Sequence, residues 1–281
     1  MRFGFVQWEF PGRLGPDPGR YVVRRYAGDD VRQVVVIGGF DAPRRKLRGP
    51  RPRKADPGPA SVEITRATVI DAAPLGELET ADAWLDRATG DESEQVTGAA
   101  LELLNRAVAG QRVAAADPWI ADADPSHAIV CRVGYGTGEQ VADGDWEAAV
   151  ELPLPAPRGS RSRILAPQER LAALLSGRDA ALACEELTLR ARGDLDHGRT
   201  REAALQLAIA LDAGLAELEV WRDQGDMAER LEELDGWRDA VTAAAQAALA
   251  GGLDPAQTAD VSSALDRLEA ALRARQVVSG E

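Results

Sequence analysis

The chain has 281 residues, 45% hydrophobic and 28% charged, a composition typical of a folded globular protein and not of a disordered one. This length predicts two domains. No apolar run approaches the roughly 18 residues that a membrane-spanning helix needs, so we do not expect a membrane partner.

Charge and cysteine content restrict the partners further. The net charge of −13 repels phosphate backbones, so nucleic acid is not expected as the main partner. Two cysteines, Cys131 and Cys184, are too few for a disulfide scaffold or a cysteine-built zinc site. Because residues 1–10 lack the basic and apolar regions of an export signal, we expect a cytoplasmic protein.

Four short strands are predicted in the first 75 residues. Each is rich in Val, Ile or aromatic residues and is bounded by turn residues. The predicted strands cover residues 2–10, 21–26, 31–40 and 61–72. We expect them to form an antiparallel meander, in which the fourth strand has one solvent-exposed face and a bulge near Arg66.

Two helices and two further strands follow. A short helix over residues 80–88 precedes a longer amphipathic one over 93–109, for which Gly110 is the expected stop. Strands are predicted over 128–133 and 146–152, with the glycine run 134–138 as the turn after the first of them. Residues 1–155 are therefore predicted to form an antiparallel, β-rich α+β domain, followed by a Pro- and Arg-rich linker over 156–166.

The remaining residues, 167–281, are predicted to be helical throughout. Amphipathic segments are expected over 167–177, 178–196, 200–222 and 226–250, with a last helix starting at Asp254. Asp254 and Gln257 have the spacing of a capping box. Several such helices with short connections predict an all-α antiparallel bundle.

One helix pair of this bundle, near residues 184–218, resembles a tetratricopeptide repeat. Ala191, Gly198, Ala203, Ala210 and Leu211 match the small and apolar positions of that family over about one repeat. The resemblance implies peptide or protein binding; the alternative is an ordinary α-hairpin that shares the pattern. Two tryptophans flank the following turn, and the candidate partner-binding residues are Ala191, Gly198, Ala203, Leu207, Leu211, Trp221 and Trp237.

A basic segment over residues 43–54 contains no acidic residue. Its candidate anion-binding side chains are Arg44, Arg45, Lys46, Arg48, Arg51, Arg53 and Lys54. Three alternatives remain: a solvated loop without a specific partner, docking on an acidic protein or on this chain's own bundle, and nucleic-acid binding. The segment has no aromatic residue on which the bases of a single-stranded nucleic acid could stack.

Two other segments contain residue types used in ligand binding. Asp117, Asp122, Asp124 and His127 offer oxygen and nitrogen ligands that suit Mg²⁺ or Mn²⁺, although nearby prolines also indicate an ordinary loop. The glycine run 134–138 follows a strand but precedes no helix, so it predicts a turn and not a phosphate site.

The sequence therefore predicts a non-enzymatic interaction or scaffold protein that binds another protein, or itself, through its helical bundle. No catalytic residue and no cofactor are predicted. The alternatives are an enzyme with an inter-domain site built from the acidic segment, with or without a divalent metal, and an anion- or nucleic-acid-binding protein that uses the basic segment.

Overall fold

The computed structural model describes residues 1–24, 28–41, 63–155 and 167–279, and the predicted α+β class is confirmed. The chain forms two compact units, Met1–Pro157 and Arg158–Glu281. The basic segment 43–54 and the expected linker 156–166 lie outside the described residues. Among the described helices, none has the length and apolar character needed to cross a membrane.

A six-stranded antiparallel sheet forms the centre of the N-terminal unit. The strands are β1 Arg2–Pro11, β2 Gly19–Val23, β3 Gln33–Asp41, β4 Glu63–Gly76, β5 Val130–Thr137 and β6 Ala148–Leu152. Their order is β2-β3-β4-β1-β5-β6, so the meander prediction is wrong for β1. This strand is buried on both faces from Gly4 to Phe10, and it therefore takes a central position between β4 and β5.

The face of β4 that was predicted to be exposed is buried at Thr68. Gln7 Nε2 donates to Thr68 Oγ1 at 2.9 Å and to the Val141 carbonyl at 3.3 Å, because the 3₁₀ helix Gly138–Asp143 lies against this face of the sheet. The register of β4 against β1 is regular at Arg66 and shifts only towards the far end of β4, so the predicted bulge position is wrong.

Two helices cover the other face of the sheet: α1 Leu78–Thr89 and α2 Ser93–Ala115. The predicted stop at Gly110 is wrong, since α2 continues until Ala116 adopts a left-handed conformation with φ 51°. A glycine inside a helix costs only about 1 kcal/mol, and the extra turn places Arg112 where it bonds the following loop.

The glycines predicted to form a turn after residue 133 lie instead inside β5 or immediately after it. A Cβ on Gly134 would lie 2.8 Å from Phe5 Cζ, and one on Gly136 would lie 2.7 Å from Val141 Cγ1. The glycines thus allow neighbouring groups to approach the strand closely.

The described part of the C-terminal unit is helical. Its helices are α3 Pro167–Leu175, α4 Ala183–Asp196, α5 Thr200–Glu217, α6 Met227–Gly236, α7 Arg238–Ala250 and α8 Pro255–Ser279. The helix predicted over 226–250 is divided at Trp237, and the one predicted from residue 178 begins at Ala183. The capping box of α8 is confirmed, with Gln257 N donating to Asp254 Oδ1 at 2.8 Å and Asp254 N donating to Gln257 Oε1 at 3.0 Å.

Candidate functional site

A cavity of about 630 Å³ opens in the N-terminal unit between two loops. One loop connects β1 to β2, and the other connects α2 to β5. The first contributes Arg13 and Leu14 to the wall, and the second contributes Trp119 and Ile120. We call this cavity, with its rim at Trp119, the loop pocket.

The four residues singled out as a possible metal set all line the loop pocket. These are Asp117, Asp122, Asp124 and His127. Within the described part of the chain, however, no group of three or more His, Cys, Asp or Glu side chains is placed to hold a metal ion. The carboxylates instead bond to other groups of the loop and of α2.

The last turn of α2 holds one side of this loop. Arg112 Nε donates to the Ile120 carbonyl at 2.7 Å, and Arg112 Nη2 donates to Asp122 Oδ1 at 2.8 Å. Both side chains of this ion pair are largely buried. One guanidinium therefore fixes the backbone and a side chain of the loop at the same time.

A fully buried asparagine, Asn105, binds the backbone of Ala123, the residue that follows Asp122. Asn105 Nδ2 donates to the Ala123 carbonyl at 3.0 Å, and Asn105 Oδ1 accepts from the Ala123 amide at 2.7 Å. Both backbone groups of Ala123 are thus paired although the residue is buried, as buried backbone groups must be.

The loop presents one tryptophan to solvent. Asp117 Oδ1 accepts from the Trp119 amide at 2.9 Å, and Asp124 Oδ1 accepts from the Ser126 amide at 2.8 Å, so each carboxylate closes a tight turn. The Trp119 side chain is 90% exposed at the rim. The backbone beside this tryptophan is fixed, while its indole is available for contact.

The opposite wall comes from the β1–β2 loop. Gly15 has φ 109°, and a Cβ there would lie 2.7 Å from Ile120 Cγ2, so only glycine allows the two loops to approach this closely. Tyr21 Oη donates to the Asp17 carbonyl at 2.6 Å, and Arg13 Nη2 donates to Asp17 Oδ1 at 3.0 Å.

The described lining of the loop pocket carries more acidic than basic side chains. Its wall includes Asp17, Asp117, Asp122 and Asp124 against one arginine, Arg13. The described residues that line it include no serine, threonine, cysteine or lysine that could act as a nucleophile. Carboxylates and an exposed indole face attract cationic groups that donate hydrogen bonds.

The candidate partner-binding residues of the bundle lie mostly in its core. Ala191, Ala203, Leu207 and Leu211 are fully buried, so their side chains pack the unit and are not available to a partner. Gly198 occupies the turn between α4 and α5 with φ 71°. Trp221 and Trp237 are half-buried against the same core.

The candidate anion-binding residues cannot be placed, since Arg44, Arg45, Lys46, Arg48, Arg51, Arg53 and Lys54 all lie outside the described residues.

A second polar cluster lies on the sheet face opposite α1 and α2. Glu9 Oε1 accepts from Arg66 Nη2 and from Arg132 Nη1, each at 2.9 Å. Burial tends to raise the pKa of Glu9, but the hydrogen bonds from the two arginines outweigh this effect and leave the pKa below its usual value. The Glu9 carboxylate is only 11% exposed and already forms ion pairs with both arginines. This cluster therefore stabilises the sheet and offers no open site.

Two residues that build the loop pocket were not identified from the sequence. Asn105 lies within the apolar pattern of α2, next to Leu104 and three residues before Val108, and a polar residue in that position indicates a buried hydrogen-bond partner. Arg112 lies two residues after Gly110, which was interpreted as the end of the helix. Its contacts with the following loop were therefore not predicted.

Comparisons with protein-family models, with curated proteins and with solved structures gave no match to this chain.

Proposed function

We propose that the protein is a non-enzymatic interaction protein that binds a basic segment of a partner protein at the loop pocket. The observation that carries the proposal is the 90% exposed Trp119 on a fixed loop at the rim of an acidic cavity. The binding surface proposed from the sequence was the helical bundle. The burial of its candidate residues favours the N-terminal unit instead.

The chemistry of the loop pocket supports a cationic partner. Tryptophan is enriched among the residues that dominate binding energy, and its ring binds guanidinium and ammonium groups through cation–π contacts. The surrounding aspartates would attract such a group and repel an acidic one. A side chain of arginine or lysine therefore fits both features of the site.

The bonding of the aspartates supports binding over chemistry. Asp117 and Asp124 accept from loop amides, and Asp122 is paired with Arg112. General acid–base catalysis needs a carboxyl group that can approach the reacting atom, whereas these carboxylates already hold the loop in shape. A cytoplasmic location is part of the proposal, since both cysteines are free thiols.

The test is peptide binding by fluorescence anisotropy. The probes are an arginine-rich peptide and a glutamate-rich peptide of equal length, each labelled at one end. The wild-type protein should bind the first and not the second, and Trp119→Ala should weaken binding roughly 10-fold or more, which is about 1.4 kcal/mol.

The matched control is Val113→Ala, because Val113 is also strongly exposed near the end of α2 but does not line the cavity. It should bind the arginine-rich peptide as the wild type does. Equal affinity of Trp119→Ala and wild type, or no binding of the arginine-rich peptide at all, would refute the proposal.

A further inference from the structure

The first helix of the C-terminal unit, α3, takes no part in the apolar core of that unit. None of its nine residues is buried, and Leu171 and Leu175 are 47% and 81% exposed. Among the described residues, the apolar side chains that form this core or pack against it all come from other segments. A helix of nine residues is too short to be stable by itself in water. Interactions other than apolar burial must therefore hold α3 in place.

Four charged side chains connect α3 to the rest of the unit. We call them the ionic cluster; they are Arg170, Asp179, Glu185 and Arg275. From α3, Arg170 Nη2 donates to Glu185 Oε1 at 2.6 Å and Nε donates to Asp179 Oδ2 at 3.3 Å. From α8, Arg275 Nη2 donates to Asp179 Oδ1 at 2.6 Å, and its Nη1 lies 3.6 Å from Glu185 Oε1. Each carboxylate thus pairs with both arginines.

The two arginines of the ionic cluster differ in their access to solvent. The Arg275 side chain is 3% exposed, and its guanidinium carbon lies 4.9 Å from the centroid of the Trp221 ring. The Arg170 side chain is 24% exposed. Because salt screens partly exposed pairs more strongly than buried ones, rising ionic strength should weaken the bonds of Arg170 first. Arg275 then still pairs with both carboxylates.

We propose that α3 is an ionic strap, which Arg170 holds on the bundle and which rising ionic strength releases while α4 to α8 stay folded. A segment held by few contacts opens at a lower free energy than the core of its unit. The apolar core formed by the other helices does not include α3, so it stays intact when α3 leaves. The proposal does not depend on the function proposed for the loop pocket.

Release of α3 would lengthen the connection between the two units. α3 is the first described helix after the N-terminal unit, which ends at Pro157. Because a helix rises about 1.5 Å per residue and an extended chain spans about 3.3 Å, the nine residues of α3 give about 16 Å more reach once they are released. The strap therefore sets how much free chain connects the N-terminal unit to α4.

Hydrogen exchange of the whole chain, followed by mass spectrometry, tests the proposal. At low salt the amides of α3 should be protected. At about 1 M NaCl, where the screening length is about 3 Å, peptides from α3 should exchange roughly 10-fold or more faster, because hydrogen bonds between charged groups contribute at least that factor. Peptides from α5 and α7 should exchange at the same rate under both conditions, since these helices belong to the apolar core.

Arg170→Gln should give the fast exchange of α3 already at low salt, with little further effect of NaCl. The matched control is Arg192→Gln, because Arg192 is also 24% exposed and pairs with two carboxylates, those of Asp266 and Glu269. This control should leave the exchange of α3 and its salt dependence unchanged. Protection of α3 that persists in Arg170→Gln or at high salt, or a salt effect of equal size in α3 and α5, would overturn the proposal.

Discussion

Arg132 Nη1 donates to Glu9 Oε1 at 2.9 Å and so joins the adjacent strands β5 and β1 on the face of the sheet opposite the helices. The same oxygen accepts from Arg66 on β4. Each guanidinium also lies over an aromatic ring, Arg66 over Phe40 at 4.7 Å and Arg132 over Trp146 at 5.7 Å. One carboxylate therefore links three neighbouring strands.

Replacing this carboxylate should destabilise the N-terminal unit strongly. Glu9→Gln leaves two largely buried arginines without their shared counterion, and breaking a buried pair in this way costs about 3 kcal/mol. Urea unfolding at pH 7 measures the loss. Glu151→Gln is the control, because Glu151 bonds the same Arg132 from an exposed position and should cost less than about 1 kcal/mol. If both variants lost the same free energy of unfolding, Glu9 would not be the main counterion of the two arginines.

The same pair makes a pH-dependent contribution to stability. The pKa of Glu9 is lower in the folded protein than its usual value, so its contribution is present above the unfolded pKa and is lost as the pH falls through the folded pKa. Wild-type stability should therefore fall more steeply than that of Glu9→Gln below about pH 4, where glutamate protonates. Urea unfolding of both proteins from pH 5 to pH 3 gives the comparison. If the stability of the two proteins fell equally with pH, this would be evidence against a lowered pKa of Glu9.

Removing Asn105 should loosen the loop that bears Trp119. Asn105→Ala leaves the amide and the carbonyl of Ala123 without their partner, at a cost of about 1 to 3 kcal/mol for each unsatisfied buried group. Chemical unfolding should show the loss, and peptide binding at the loop pocket should weaken. Arg106→Ala, at the exposed neighbouring position of α2, should leave both properties unchanged.

Two glycine-to-alanine substitutions should change the stability of the N-terminal unit in opposite directions. In Gly110→Ala the new methyl group meets nothing within 4 Å inside α2, so helix propensity should stabilise the unit by about 0.5 to 1 kcal/mol. In Gly134→Ala the methyl group meets the Ala148 carbonyl oxygen and Phe5, and the unit should be destabilised. Thermal unfolding of the two variants provides the measurement, and a shift in the same direction would be inconsistent with the placement of Gly134 inside β5.

Both native thiols should be unreactive in the folded protein. Burial raises the pKa of Cys131 to about 11, and burial together with Glu217 raises the pKa of Cys184. At pH 8 a disulfide reagent should modify neither cysteine, since the thiolate is the reactive form. In urea, Cys131→Ala and Cys184→Ala should each expose one thiol, which reports the unfolding of the unit that retains it. Rapid modification without denaturant would contradict the burial of either side chain.

Local sequence was sufficient for the elements whose stabilising partners are close in the chain. The capping box of α8 depends on two residues three positions apart, and the apolar stripe of α8 has helical spacing. All four residues of that stripe, Val261, Leu265, Leu268 and Leu272, are buried as the spacing indicates. The α+β class follows from the same local patterns, since strands and helices differ in period.

The long-range features were decided by tertiary contacts. The central position of β1 depends on pairing with β4 and β5, which lie more than 50 and 120 residues further along the chain. Gly134 is recognised as a strand residue only when Phe5 is packed against it, and Asn105 as a loop-holding residue only when Ala123 is adjacent. Composition and periodicity are properties of neighbours in sequence, and they therefore determined most of the helices and strands. The sheet order and the loop pocket depend on contacts between distant segments, which only the folded chain brings together.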